Sequence, residues 1–131
     1  MAPVLQELSR YPKEIDSVTC TTGQHKEMIE PVLDLFKITP DHDLKLMTKD
    51  QSLSQITQSI LRSFEPILLK EKPDIVLVQG DTTTAYSCAL ASFYQKIPIG
   101  HIEAGLRTHN LLSPWPEEMN RLAIDNLAQY H

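Results

Sequence analysis

No stretch of this sequence is apolar for long enough to cross a membrane as a helix: the longest runs fall far short of the roughly 18–20 residues a bilayer span requires. The first residues lack the charged-then-apolar pattern of a secretory signal. Basic residues are outnumbered, 12 Lys and Arg against 17 Asp and Glu, and they form no block and no interleaving with aromatics. No nucleic acid and no membrane is therefore expected as a partner. Cysteine is scarce too. Cys20 and Cys88 have neither metal nor redox spacing, so both are expected to be buried free thiols of a reducing, cytoplasmic protein.

Three signatures of chemistry are also missing. G-x-G-x-x-G, which would mark a dinucleotide site, does not occur, nor does the G-x-x-x-x-G-K-[ST] phosphate loop. No G-x-S-x-G nucleophile elbow occurs either.

What is there suffices for one domain with a real core: 131 residues, 41% of them hydrophobic. A helix is expected over residues 3–10, ended by Tyr11-Pro12, because proline disfavours helical geometry in the residue before it. Residues 15–20 read as a short strand, followed by a polar turn at 21–25 and a helix at 26–36. Leu44 and Leu46 alternate with lysine as a short edge strand would. Residues 52–69 keep the helical period through Leu53, Ile56, Ile60, Phe64, Ile67 and Leu68.

Residues 75–78 form a β-branched, continuously apolar run, the pattern of a strand buried on both faces. A helix rich in small residues follows at 82–95 (Ala85, Ser87, Cys88, Ala89, Ala91, Ser92), then a strand at 97–102. Strand, helix and strand of this length imply a parallel, right-handed crossover. After an irregular stretch at 108–115, Pro116 opens a helix with an apolar stripe of Met119, Leu122, Ala123 and Leu127. Another strand is expected to begin at His131. The fold class is α/β with a parallel, Rossmann-like sheet, whose ligands bind beyond the carboxyl ends of the strands.

Two carboxylates stand at those ends. Asp81 follows the first strand of the crossover and Glu103 the second, so both should emerge on one edge. Each also has a plain structural role open to it. Asp81 could cap the next helix, and Glu103 could pair with Arg107. Glu117 in a first helical turn could pair with Arg121 four residues on. His101 precedes Glu103 by two and shares its side of the strand, as a ligand or as an orienting partner. No third residue completes a metal set with them, so no metal is expected. The residues point to a cleft enzyme for a small polar ligand, with hydrolase, isomerase and glycosyltransferase all open.

Three ordered motifs narrow this: Gly80-Asp81-Thr82-Thr83-Thr84, then 101–108 (HIEAGLRT), then 113–121 (SPWPEEMNR). With Thr22-Gly23-Gln24-His25 and the entry Lys72-Pro73-Asp74, they resemble the non-hydrolysing UDP-N-acetylglucosamine 2-epimerases of bacteria and archaea over essentially the whole chain. The resemblance implies a two-domain fold of the GT-B glycosyltransferase type, with UDP-sugar between the domains. It implies interconversion of UDP-N-acetylglucosamine and UDP-N-acetylmannosamine for surface polysaccharides, without metal or nicotinamide, by a cytoplasmic homodimer. Asp81, Glu103 and Glu117 match the family's catalytic acids; His101, Arg107, Gln24 and His25 are the expected substrate-binding residues. Alternatives are a GT-B glycosyltransferase using a UDP-sugar, and a truncated fragment without catalysis.

The chain departs from the family in three ways. The family's first strand and its Gly-Thr-Arg-Pro-Glu turn are missing, as is the C-terminal domain. Residues 1–131 are thus expected to be a partial N-terminal domain, inactive alone, with a gap or abnormal pairing where the first strand would lie. Some members bind a second UDP-N-acetylglucosamine through the Gln-His turn, a further glutamine and an arginine. Glu27 and Ser59 stand at those last two positions, which argues against that second site.

Overall fold

The computed structural model describes residues 1–23, 26–46, 48 and 50–131. They form two compact units, Met1–Lys49 and Asp50–His131.

The first unit holds α1 (Ala2–Leu8), β1 (Cys20–Thr21), α2 (Lys26–Phe36) and β2 (His42–Asp43). Helix α1 begins without a side-chain cap and carries a proline in its first turn, where a missing N–H costs nothing. Helix α2 has the expected bounds. The strand expected at 15–20 contracts to β1. One reason is local: the Thr19 amide donates to the Asp41 carboxylate at 2.7 Å instead of to a neighbouring strand. Strands β1 and β2 run parallel, Cys20 opposite His42 and Thr21 opposite Asp43. The edge strand anticipated at Leu44 and Leu46 starts earlier, because Lys45 takes a left-handed φ of 49° that no strand continues through. Both leucine amides still donate toward the β1 side, to Thr21 and Thr22 carbonyls.

The second unit holds α3 (Leu53–Glu71), β3 (Val76–Gln79), α4 (Thr83–Tyr94), β4 (Ile99–Ile102) and α5 (Glu117–Leu127). Ser52 opens α3 with a capping box: its hydroxyl accepts from the Gln55 amide, and the Gln55 side chain accepts from the Ser52 amide. Lys72 closes it in the left-handed region, and Pro73 follows. Ile60, Phe64 and Leu68, four residues apart, are its buried residues, and the helix packs on α4.

Strands β3 and β4 pair in parallel, with Val76 opposite Ile99 and Gln79 opposite Ile102. The helix between them presents small buried residues (Ala85, Ser87, Ala89, Ala91, Ser92), which let a backbone lie close to the sheet. Val78, Ala85, Ala89, Ile99 and Ile124 form the core. β3 is not buried on both faces as its sequence suggested. Val78 is buried, but Ile75 is 40% exposed and Leu77 half-buried. Val76 and Val78 face the core; on the other face Leu77 fills the space a side chain at Gly100 would need. Past α5, Tyr130 makes an isolated parallel bridge to Gly100, where a further strand was expected. Among the described residues no helix is long and apolar enough to cross a membrane.

Candidate active site

The parallel register places the ends of β3 and β4 side by side, and the first polar residues beyond them are the two acids. Gly80 turns the chain out of β3 with a φ of 74°, a conformation in which a side chain would be strained. Its amide donates to the Ile102 carbonyl at 2.9 Å.

Asp81 does not cap α4. Thr82 does: its hydroxyl accepts from the Ala85 amide at 3.1 Å. The Asp81 carboxylate instead accepts from Arg121 Nη2 at 2.6 Å. The Asp81 carbonyl accepts from Asn120 Nδ2 at 2.9 Å. Glu103 does not pair with Arg107. Its carboxylate accepts from Gln79 Nε2 at 3.2 Å, and its carbonyl accepts from Arg121 Nη1. Glu103 sits at φ 63°, a left-handed conformation that costs a non-glycine residue about 1–2 kcal/mol.

One guanidinium, only 3% exposed along its side chain, therefore ties the turn bearing Asp81 to the turn bearing Glu103. It is not Glu117's i,i+4 partner. Glu117 is the first residue of α5, half-buried, and among the described residues no hydrogen bond or ion pair holds its carboxylate.

Of the apolar stripe that the α5 sequence suggested, Leu127 packs against the core, Leu122 and Ala123 are half-buried, and Met119 is 38% exposed; the buried residues of α5 are Glu118, Asn120, Arg121 and Ile124. The reason is the work that face does. Asn120 and Arg121 donate to main-chain carbonyls and a carboxylate at the sheet edge, and Glu118 accepts from Arg107 and two main-chain amides; buried polar groups need such partners.

Two expected substrate ligands are occupied elsewhere. His101 is 1% exposed. Its Nε2 donates to the Gly80 carbonyl at 2.7 Å, and Nδ1 lies 2.6 Å from the Asp125 carboxylate. Arg107 pairs with the buried Glu118, Nε at 2.9 Å and Nη2 at 2.8 Å from one oxygen. Glu118 also accepts from the Thr108 and His109 amides. The Arg107 guanidinium foremost, then the Thr108 amide, hold the Glu118 carboxyl down to about 2. Gln24 and His25 lie outside the described residues.

Glu118, Asn120 and Asp125 were missed from sequence. Their signal was present as polar residues where α5 needed apolar ones.

A family model described as UDP-N-acetylglucosamine 2-epimerase matches residues 6–131. A UDP-N-acetylglucosamine 2-epimerase of Neisseria meningitidis is 55% identical over all 131 residues, which cover 35% of that protein. One of Escherichia coli K12 is 53% identical with the same coverage. The crystal structure of the Neisseria meningitidis enzyme bound to UDP-GlcNAc superimposes with a TM-score of 0.93 over 100% of this chain and 36% of that one. The Methanocaldococcus jannaschii enzyme in complex with UDP-GlcNAc and UDP, 32% identical, gives 0.89 over 98% of this chain and 35% of its own. The chain thus spans about a third of the length of the curated relatives it matches. With this match across nearly every residue, and the acids at one sheet edge, the chain belongs to the UDP-N-acetylglucosamine 2-epimerase family.

Proposed function

We propose that this chain is the acid-bearing part of a non-hydrolysing UDP-N-acetylglucosamine 2-epimerase, a partial N-terminal domain of a GT-B enzyme. The observation that carries it is the Arg121 bridge, which holds the Asp81 and Glu103 turns together at the carboxyl edge of β3 and β4. The names and bound ligands of the relatives supply the substrate.

The chemistry needs several acids. The C2 hydrogen of the sugar is not beside a ketone, so enolisation is unavailable. A base takes the C2 proton while the C1–O bond breaks; the C–H pair becomes the C1=C2 bond of a 2-acetamidoglucal, and UDP leaves with the C–O pair. UDP then adds back as a proton reaches the other face of C2. Breaking the anomeric bond builds oxocarbenium-like charge, which a carboxylate stabilises as in glycosidases. Proton removal and return require a base and an acid. Asp81, Glu103 and Glu117 are the proposed catalytic residues. His101 and Arg107, given their partners, hold the frame rather than the substrate.

The product is UDP-N-acetylmannosamine for surface polysaccharide synthesis, and the working enzyme is a cytoplasmic homodimer that needs no metal or nicotinamide. Because the relatives are about three times as long, the 131 residues alone are expected to be inactive. The test is a chimaera in which this chain replaces the matching third of the Neisseria meningitidis relative. Formation of UDP-N-acetylmannosamine from UDP-N-acetylglucosamine is expected; sugar transfer to an acceptor without epimerisation would favour a glycosyltransferase.

A further inference from the structure

A histidine inside a short parallel strand must place both ring nitrogens, because burying an unpaired polar atom is costly. His101 solves this with two contacts on different elements. Nε2 faces the Gly80 carbonyl at 2.7 Å, an atom that can only accept, so Nε2 carries a proton. Nδ1 faces the Asp125 carboxylate on α5 at 2.6 Å. An acid in the last turn of a helix opposes the helix dipole, and the ring gives Asp125 a local reason to be there. His131 also approaches this carboxylate, at 3.9 Å.

Gly80 is the pivot. Its amide is held by Ile102 of β4 and its carbonyl by His101 of the same strand. Gly80, the residue that starts the Asp81 turn, is therefore held through the peptides on both sides of it by the strand that ends in Glu103. Resting on the epimerase chemistry above, we propose that His101 is a positioning residue: the Asp125–His101–Gly80 chain, with its imidazole buried, sets the turn that presents Asp81 beside Glu103. His101 touches no substrate. It acts through the Gly80 peptide, and acids that handle a proton at one carbon tolerate little displacement.

The two amide side chains separate the two contacts. Glutamine reaches as far as Nε2 and asparagine as far as Nδ1. In the active chimaera, His101→Gln keeps a donor for Gly80 and should hold kcat within about threefold of the parent. His101→Asn keeps only the Asp125 contact and should lose about 10–100-fold in kcat with KM within about twofold. A raised KM with kcat intact in either variant would make His101 a ligand of the substrate and overturn the proposal. So would equal kcat losses in both variants, the mark of a merely structural residue. Should His101→Asn fail to fold, nitrogen-15 NMR of the unmutated, histidine-labelled chain decides: a proton on Nε2 of His101 is required, and a ring protonated on Nδ1 alone refutes the contact. That measurement needs no turnover. An inactive parent chimaera would count against the epimerase chemistry, while the NMR result would still judge the His101–Gly80 contact.

Discussion

Arg121 Nη2 donates to Asp81 Oδ2 at 2.6 Å, a pairing across 40 residues of sequence. Its other terminal nitrogen donates to the Glu103 carbonyl. Arg121→Met removes both donors while keeping much of the side-chain volume. Two acceptors lose their partners, so stability should fall by about 2 kcal/mol. Turnover of the chimaera should fall as well, because both acid-bearing turns are released. Urea unfolding and a turnover assay measure the two effects. A variant as stable and as active as its parent would remove Arg121 from this role.

Capping and chemistry are divided between adjacent residues, so two substitutions should differ in their effect on turnover. Thr82→Ala deletes the cap of α4 and should cost about 1 kcal/mol of stability. Asp81→Asn leaves that cap in place but takes the charge away from Arg121, so it should lower stability too, and it should lower kcat by about 10²–10⁴-fold. Thermal melts read beside steady-state rates separate them. If Asp81→Asn were the variant that melts early and still turns over, Asp81 would be a structural residue.

Glu118 gives the acid side of the stability curve. Its carboxyl is held at about 2 in the folded chain, against an ordinary value of 4.5. A depressed carboxylate stabilises the fold above its unfolded value, and that contribution is lost as pH falls from about 4.5 to about 2. Glu118→Gln should flatten the unfolding midpoint across this window and loosen residues 107–109, whose amides and guanidinium it holds. Midpoints that drop equally steeply in both proteins would assign the acid sensitivity elsewhere.

Cys20 should be a sluggish nucleophile. Burial first, and the nearby Asp43 charge second, push its thiol up to about 11. Thiolate is the reactive form, so alkylation at pH 8 should be much slower for the folded chain than for the same thiol in urea. Equal rates in the two conditions would mean the thiol is not shielded.

Much of this was legible in the sequence, and what was not has a common cause. The spacing of residues 75–107 announces the parallel pair, and the register of Gln79 with Ile102 sets both acids on one edge. Helix α2 follows its pattern to the residue. The ion pairs were misjudged because sequence offers only near neighbours. Arg121 was matched to Glu117 and Arg107 to Glu103, each four residues apart. The fold instead matches Arg121 to Asp81 and Arg107 to Glu118. The polar buried face of α5 misled for a related reason. Its partners are main-chain and side-chain groups of the Asp81 and Glu103 turns and of residues 107–109, which no side-chain periodicity announces. The short β1 and the early β2 follow from one aspartate and one left-handed lysine, details below the resolution of an apolar pattern.

Deuterium at C2 tests the proposed chemistry most directly. UDP-N-acetylglucosamine incubated in D₂O with the chimaera should gain deuterium at C2 in both epimers, and Glu103→Gln, Glu117→Gln or Asp81→Asn should each suppress the exchange. A chimaera that binds the nucleotide sugar yet leaves C2 unlabelled would contradict an epimerase built on these three acids.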